Sequence, residues 1–116
     1  MHIDSRLVSD VALVRISGRV TLTDGTPIFD DTIRRLIEAG TVKIVLDFQD
    51  VPYIDSTALG IMLRAHATVT RRSGAVKLLH VHGHVRELLT LTRLLPVFEI
   101  FDSELQALTH VDPSSS

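Results

Sequence analysis

Short β-branched runs alternate along this chain with stretches in which apolar residues recur at helical spacing. Val11 to Ser17 (VALVRIS) predicts a strand, and His2 to Val8 (HIDSRLV) pairs with it if Ser9-Asp10 makes a tight hairpin turn. In the following TDGTPIFDDTIRRLIEAG, Thr26 is placed to cap a helix and Pro27 suits its first position. Asp30 and Asp31 fall in the early turns, where the macrodipole favours acids. Phe29, Ile33, Leu36 and Ile37 form one apolar stripe, and Gly40 ends it.

Val42 to Phe48 (VKIVLDF) reads as a buried strand, followed by a loop holding Pro52. From Ser56 to about Arg72, Leu59, Met62, Ala65, His66 and Val69 recur at helical spacing until Ser73-Gly74 closes the element. Arg71 and Arg72 are expected in its last turn, as dipole partners. AVKLLHV (Ala75 to Val81) predicts another strand. His84 to about Leu95 predicts a helix with Val85, Leu88, Leu89 and Thr92 along one side, stopped by Pro96. Val97 to Phe101 (VFEIF) is a last short strand, and Ser103 with Gln106 makes a capping-box pattern before a helix through about Leu108. The order is β-β-α-β-α-β-α-β-α. Such alternation implies an α/β domain, with a mostly parallel or mixed sheet and crossover helices packed mainly on one face. In such sheets ligands and chemistry favour the carboxyl ends of strands, where Tyr53 to Gly60 (YIDSTALG) falls.

Composition narrows the function classes. A chain of 116 residues, 45% hydrophobic and 22% charged, has the makings of one globular domain with a substantial core. Its formal charge of −2, without a block of Lys or Arg, argues against a phosphate-neutralising face for nucleic acid. One Tyr and no Trp leave little from which to build base-stacking platforms. The absence of Cys excludes disulfides and thiolate metal sites. No segment reaches the roughly 18 uninterrupted apolar residues of a membrane helix, and Met1 to Val8 lacks a signal-peptide plan, so the expected location is cytoplasmic.

The hydroxyl pair Ser56-Thr57 after Asp55 carries the most informative chemistry. Asp55 or Ser56 can cap the helix; a phosphate on Ser56 would be tolerated at a helix N-terminus; or Ser56 could be a nucleophile. The last reading lacks its Gly-x-Ser-x-Gly frame: Tyr53 and Asp55 precede Ser56, and Ala58 follows at the second position. His80, His82 and His84 (HVHGH) offer a metal-binding alternative, since His80 and His82 would point the same way on a strand. His84, however, lies beyond Gly83 and no acid falls in the segment, so packing or solvent roles are expected and no metal is assigned. Asp24-Gly25 with Asp30-Asp31 has too few glycines to cradle a nucleotide, and no cofactor is expected.

Asp50 to His66 (DVPYIDSTALGIMLRAH) resembles the signature of the STAS domain family, and within it the bacterial anti-sigma factor antagonists: a hydrophobic strand exit, then Asp-Ser-Ser/Thr-Gly-Leu-Gly opening a helix. Leu13 to Val20 (LVRISGRV) resembles the family's second strand leading into Gly18, and Ser73 to Glu104 resembles its later half. The resemblance spans about Met1 to Val111. It implies one STAS domain over 1–111, a mixed sheet with helices mainly on one face, and a flexible tail at 112–116.

What the resemblance implies is a non-enzymatic switch. The unphosphorylated protein binds an anti-sigma factor that is also a serine kinase, and so regulates sigma-factor-dependent transcription. Phosphorylation of the Ser after the motif Asp ends binding, and a phosphatase restores it. By position the phosphosite is Ser56, with Thr57 as second candidate. The partner surface is Arg19, Thr21, Asp24, Tyr53, Asp55, Ser56, Thr57 and Leu63, and a homodimer stays among the expected partners. Two positions depart from the family pattern. Ala58 replaces a common Gly, and Arg19-Val20-Thr21 replaces Glu-Leu/Val-Asp, a change of about three charge units that alters steering and partner choice. If that loop folds over the helix start, Arg19 comes within reach of a phosphate on Ser56. The rival reading is a constitutive STAS adaptor or assembly subunit in which Ser56 is only a cap.

Overall fold

The computed structural model describes residues 1–109. Strands β1 (His2–Val8) and β2 (Val11–Ser17) form the expected hairpin, paired from His2 opposite Ser17 to Val8 opposite Val11 around Ser9-Asp10. Then follow α1 (Thr26–Glu38), β3 (Lys43–Asp50), α2 (Ser56–Thr70), β4 (Ala75–Leu79), α3 (Gly83–Leu91), a 3₁₀ turn (Leu95–Val97), β5 (Glu99–Phe101) and α4 (Glu104–Thr109). The strands lie in the order β1-β2-β3-β4-β5. The first pair is antiparallel and the other three are parallel, so the sheet is mixed as expected.

Strand alternation sorts the core into two layers. Ala12, Val14 and Ile16 of β2, Ile44, Leu46 and Phe48 of β3, and Val76 and Leu78 of β4 pack with Phe29 and Ile33 of α1, Met62 and Val69 of α2, and Val85 and Leu89 of α3. The opposite side of the sheet holds Val11, Leu13, Val45 and Leu79, covered by Ala107 of α4. Three helices thus share one face and the short α4 takes the other. Arg6 and Arg15 both reach Glu104 (3.2 and 3.1 Å), anchoring α4 over that second face.

Several element ends differ from expectation, each for a local reason. Thr26 is not a cap; it is buried as the first helical residue of α1, and Gly25, at φ +89°, precedes it with no side-chain cap. Asp30 and Asp31 lie past the first turn and pair instead with Arg64, Arg34 and Arg35. Helix α2 stops at Thr70, so Arg71 and Arg72 lie outside its last turn, and the Arg72 guanidinium donates to the Ile37 carbonyl at the end of α1 (3.5 Å). Strand β4 ends at Leu79 because His80 adopts φ +57°, breaking the alternation assumed through Val81. Helix α3 ends at Leu91 rather than near Leu95. Arg93 turns left-handed (φ +59°) and the Leu94 N–H returns to the Leu89 carbonyl, a hydrogen-bonded helix stop that needs no proline. The Thr92 side chain, expected on the apolar face, is exposed and donates to the Leu88 carbonyl. The 3₁₀ turn then takes Val97, which shortens β5. The expected tail at 112–116 lies outside the described residues.

Candidate functional site at the start of the second helix

Beyond the carboxyl ends of β2 and β3, the two outgoing loops continue to zip together. The Gly18 N–H donates to the Asp50 carbonyl (3.0 Å), the Val20 N–H to Tyr53 (3.1 Å) and the Asp55 N–H back to Val20 (3.3 Å). Val20 and Ile54 bury their side chains at this bridge. The loop after β2 therefore folds back over the start of α2.

Asp55 is the centre of this junction. Its Oδ1 accepts from the N–H groups of Thr57 (3.0 Å) and Ala58 (3.1 Å), capping α2, and its Oδ2 accepts from Leu22 N–H (2.7 Å) in the β2–α1 loop. One carboxylate thus satisfies two orphan donors of a helix and pins a loop 33 residues away in sequence. Partial burial, the largest single influence, raises the carboxyl's pKa. The backbone N–H groups of Leu22, Ala58, Thr57 and Asp55 itself act against burial and together hold it below the ordinary 3.8.

Because Asp55 does the capping, Ser56 is left as the first helical residue. It is exposed, and its hydroxyl makes no hydrogen bond among the described residues. This decides the capping alternative: the cap is Asp55, and a role for Ser56 as the cap, which the constitutive-adaptor reading assigned to it, is removed. Among the described residues no His or carboxylate hydrogen-bonds to the Ser56 hydroxyl, the contact that would activate a serine nucleophile. Thr57 is half-buried.

The other expected surface residues are distributed around this point. The Arg19 guanidinium carbon lies 5.2 Å from the centre of the Tyr53 ring, a cation–π contact, and His84 stacks on the same Tyr53 at 4.3 Å with the rings 17° apart. Thr21 is buried, exchanging backbone hydrogen bonds with Asp24 (2.7 and 3.0 Å) to make a tight turn that leaves Asp24 exposed. Leu63 is half-buried against the main core, two helical turns from Ser56. One residue not singled out from sequence joins the site: Leu22, at the tip of the Thr21–Asp24 turn, donates its N–H to Asp55 while its side chain is 68% exposed. An apolar residue inside the polar stretch TLTDG was the available signal for Leu22; nothing local announces that His84 meets Tyr53.

The histidine cluster disperses. His80 Nδ1 lies 3.1 Å from Asp47 Oδ1, His82 Nε2 lies 3.0 Å from the Gln49 carbonyl, and His84 goes to Tyr53. With β4 already ended, His80 and His82 do not share a strand face. No group of three or more His, Asp or Glu among the described residues is arranged to hold a metal ion, and no described helix is long and apolar enough to cross a membrane.

The pattern of the STAS domain matches residues 2–107. The chain belongs to the STAS domain family. This STAS domain is 27% identical over 105 residues to the anti-sigma F factor antagonist of Paenibacillus polymyxa, covering 88% of this chain and 87% of that protein. An anti-sigma factor antagonist from Mycobacterium paratuberculosis superposes with a TM-score of 0.85 at 19% identity, over 95% of this chain and 92% of the other. The Bacillus cell fate determinant SpoIIAA in its phosphorylated form gives 0.75 at 18% identity, over 93% and 97%. At these identities the superpositions establish the fold, which is that of anti-sigma factor antagonist structures.

Proposed function

We propose that this STAS domain is an anti-sigma factor antagonist whose binding to an anti-sigma factor with serine kinase activity is switched by phosphorylation of Ser56. The observation that carries the reading is the division of labour at the helix start. Asp55 holds the cap and the loop, so the exposed Ser56 hydroxyl is free for modification without loss of a structural hydrogen bond. A relative of similar length is an anti-sigma F factor antagonist, and a structure of the same fold is of a phosphorylated form. The partner would dock on the turn carrying Leu22, on the start of α2 and on the Arg19–Tyr53–His84 stack. A phosphate adds about −1.5 to −2 charges in the middle of that surface, where close docking would leave it desolvated and unmatched. Arg19, one residue before the bridge to Ile54, is the cation of that loop and the candidate to answer that charge.

Intact mass and phosphosite mapping on protein from its native cells, beside Ser56→Ala, test this reading. Phosphate on Ser56, with partner capture by the phosphorylated form lost and capture by Ser56→Ala kept, is the expected result. Unmodified Ser56 in every growth condition with a partner still bound would overturn the switch and favour a constitutive adaptor. Arg19→Glu that leaves phosphorylation and release unchanged would remove Arg19 from it.

A further inference from the structure

Strand β1 is an outer strand of the sheet, paired on one side only. Its seven residues run against β2 without a bulge and contain no Pro or Lys; the charges they carry, Asp4 and Arg6, are of opposite sign. In a two-residue hairpin the closing pair, here Val8 and Val11, exchanges both backbone hydrogen bonds. Arg6, Asp4 and His2 then also direct theirs inward, by the alternation of antiparallel ladders. Ile3, Ser5 and Leu7 are left with N–H and C=O groups facing away from the sheet.

This edge fits a second copy of itself in one register. With a two-fold axis at Ser5, antiparallel pairing sets Asp4 opposite Arg6 of the second copy, and Ile3 opposite Leu7. Shifting the register by two residues either way, the smallest step that keeps the outward groups matched, places Asp4 against Asp4 or Arg6 against Arg6. Like charges directly opposite are destabilising. The side chains also fall on useful faces. Asp4 and Arg6 share the α4 side with their β2 partners Arg15 and Leu13; Ile3 and Leu7 lie on the side of the main core, opposite Ile16 and Ala12. Leu7 is 62% exposed, and Asp4 makes no ion pair among the described residues. Arg6 already meets Glu104, but a guanidinium has five donors and can serve both acids. The Asp4–Arg6 pairs occupy the non-hydrogen-bonded positions, where facing side chains come closest.

We infer that two copies of this STAS domain associate through β1, antiparallel about Ser5, into one continuous sheet of ten strands. This inference does not depend on the switch at Ser56.

Sedimentation velocity of the full chain from micromolar to millimolar concentration tests it, with circular dichroism confirming each variant's fold. Wild type forms a concentration-dependent dimer. Asp4→Arg or Arg6→Asp alone turns both attractive pairs into repulsive ones and weakens the dimer about thirtyfold. Mixing the two variants restores association, because each charge then faces its opposite. A wild type that stays monomeric at millimolar concentration overturns the inference. So does Asp4→Arg dimerising like wild type, or a mixture of folded variants that does not associate. Should either variant fail to fold, amide exchange in the wild type decides: Ser5 and Leu7 amides gain protection with concentration if the interface is β1, and unchanged exchange in a dimer overturns it.

Discussion

Replacing Asp55 by Ala removes one carboxylate and strands three backbone donors, those of Thr57, Ala58 and Leu22. Loss of a helix N-cap costs about 1 kcal/mol, and loss of a charge-assisted bond at a partly exposed loop about 1 more. The sum, about 2 kcal/mol, lowers the melting midpoint of a domain this size by about 8 °C. Asp55→Asn keeps a good capping oxygen and should lose clearly less, because Asn caps nearly as well as Asp. The pH dependence separates charge from shape. The folded carboxyl titrates below its ordinary 3.8, so protons bind the unfolded chain more readily. The stabilisation is present above 3.8 and is lost as pH falls through the lower folded value, so the wild-type advantage over Asp55→Asn shrinks on acidification. Thermal unfolding and urea titrations of the three proteins at neutral and acidic pH measure this. An Asp55→Ala midpoint within about 2 °C of wild type, or an advantage over Asn that grows as pH falls, would refute the reasoning.

Two glycines should respond in opposite directions. A Cβ on Gly60, within α2, meets nothing within 4 Å, so Gly60→Ala is expected to stabilise by about 0.5–1 kcal/mol. A Cβ on Gly74 would run into the Val42 carbonyl oxygen, so Gly74→Ala should cost at least about 2 kcal/mol; equal thermal midpoints for the two variants would contradict the packing at the α2–β4 turn. On the α4 side of the sheet, the largely buried Lys77 ammonium lies 2.8 Å from Glu99 of the neighbouring strand. Glu99→Ala strips that partner and should cost about 1–2 kcal/mol in chemical denaturation, whereas Lys77→Met should be near neutral; the reverse order would show that the pair, rather than the burial of Lys77, dominates.

Much of the fold was legible along the chain because its signals are local. The Ser9-Asp10 hairpin, the stripe Phe29–Ile33–Leu36–Ile37 ending at Gly40, and the helical pattern from Ser56 depend on residues within a few positions of each other, and all three recur in the structure, α2 ending at Thr70. So did the exit of a strand into a helix at Asp55-Ser56, and with it the resemblance to the STAS family. Element ends were less legible. His80 and Arg93 adopt left-handed backbone that sequence patterns assign to glycine, and Thr26 yields capping to a glycine because its side chain is buried.

What only the tertiary structure decided are the pairings made across distant segments. Asp55 was one of two candidate caps in sequence; its hold on the loop, and the largest of the hydrogen bonds that lower its pKa, come from Leu22, which only the sheet order brings beside it. His80, His82 and His84 are neighbours in the chain, yet each finds its partner in a different segment, on Asp47, Gln49 and Tyr53. Placement of α4 on the far face and the open edge of β1 follow from the strand order. Periodicity and capping act over one turn of helix or one pleat of strand, so the sequence encodes them directly. Electrostatic and stacking partners are set by which strands lie side by side, and that is a property of the whole sheet.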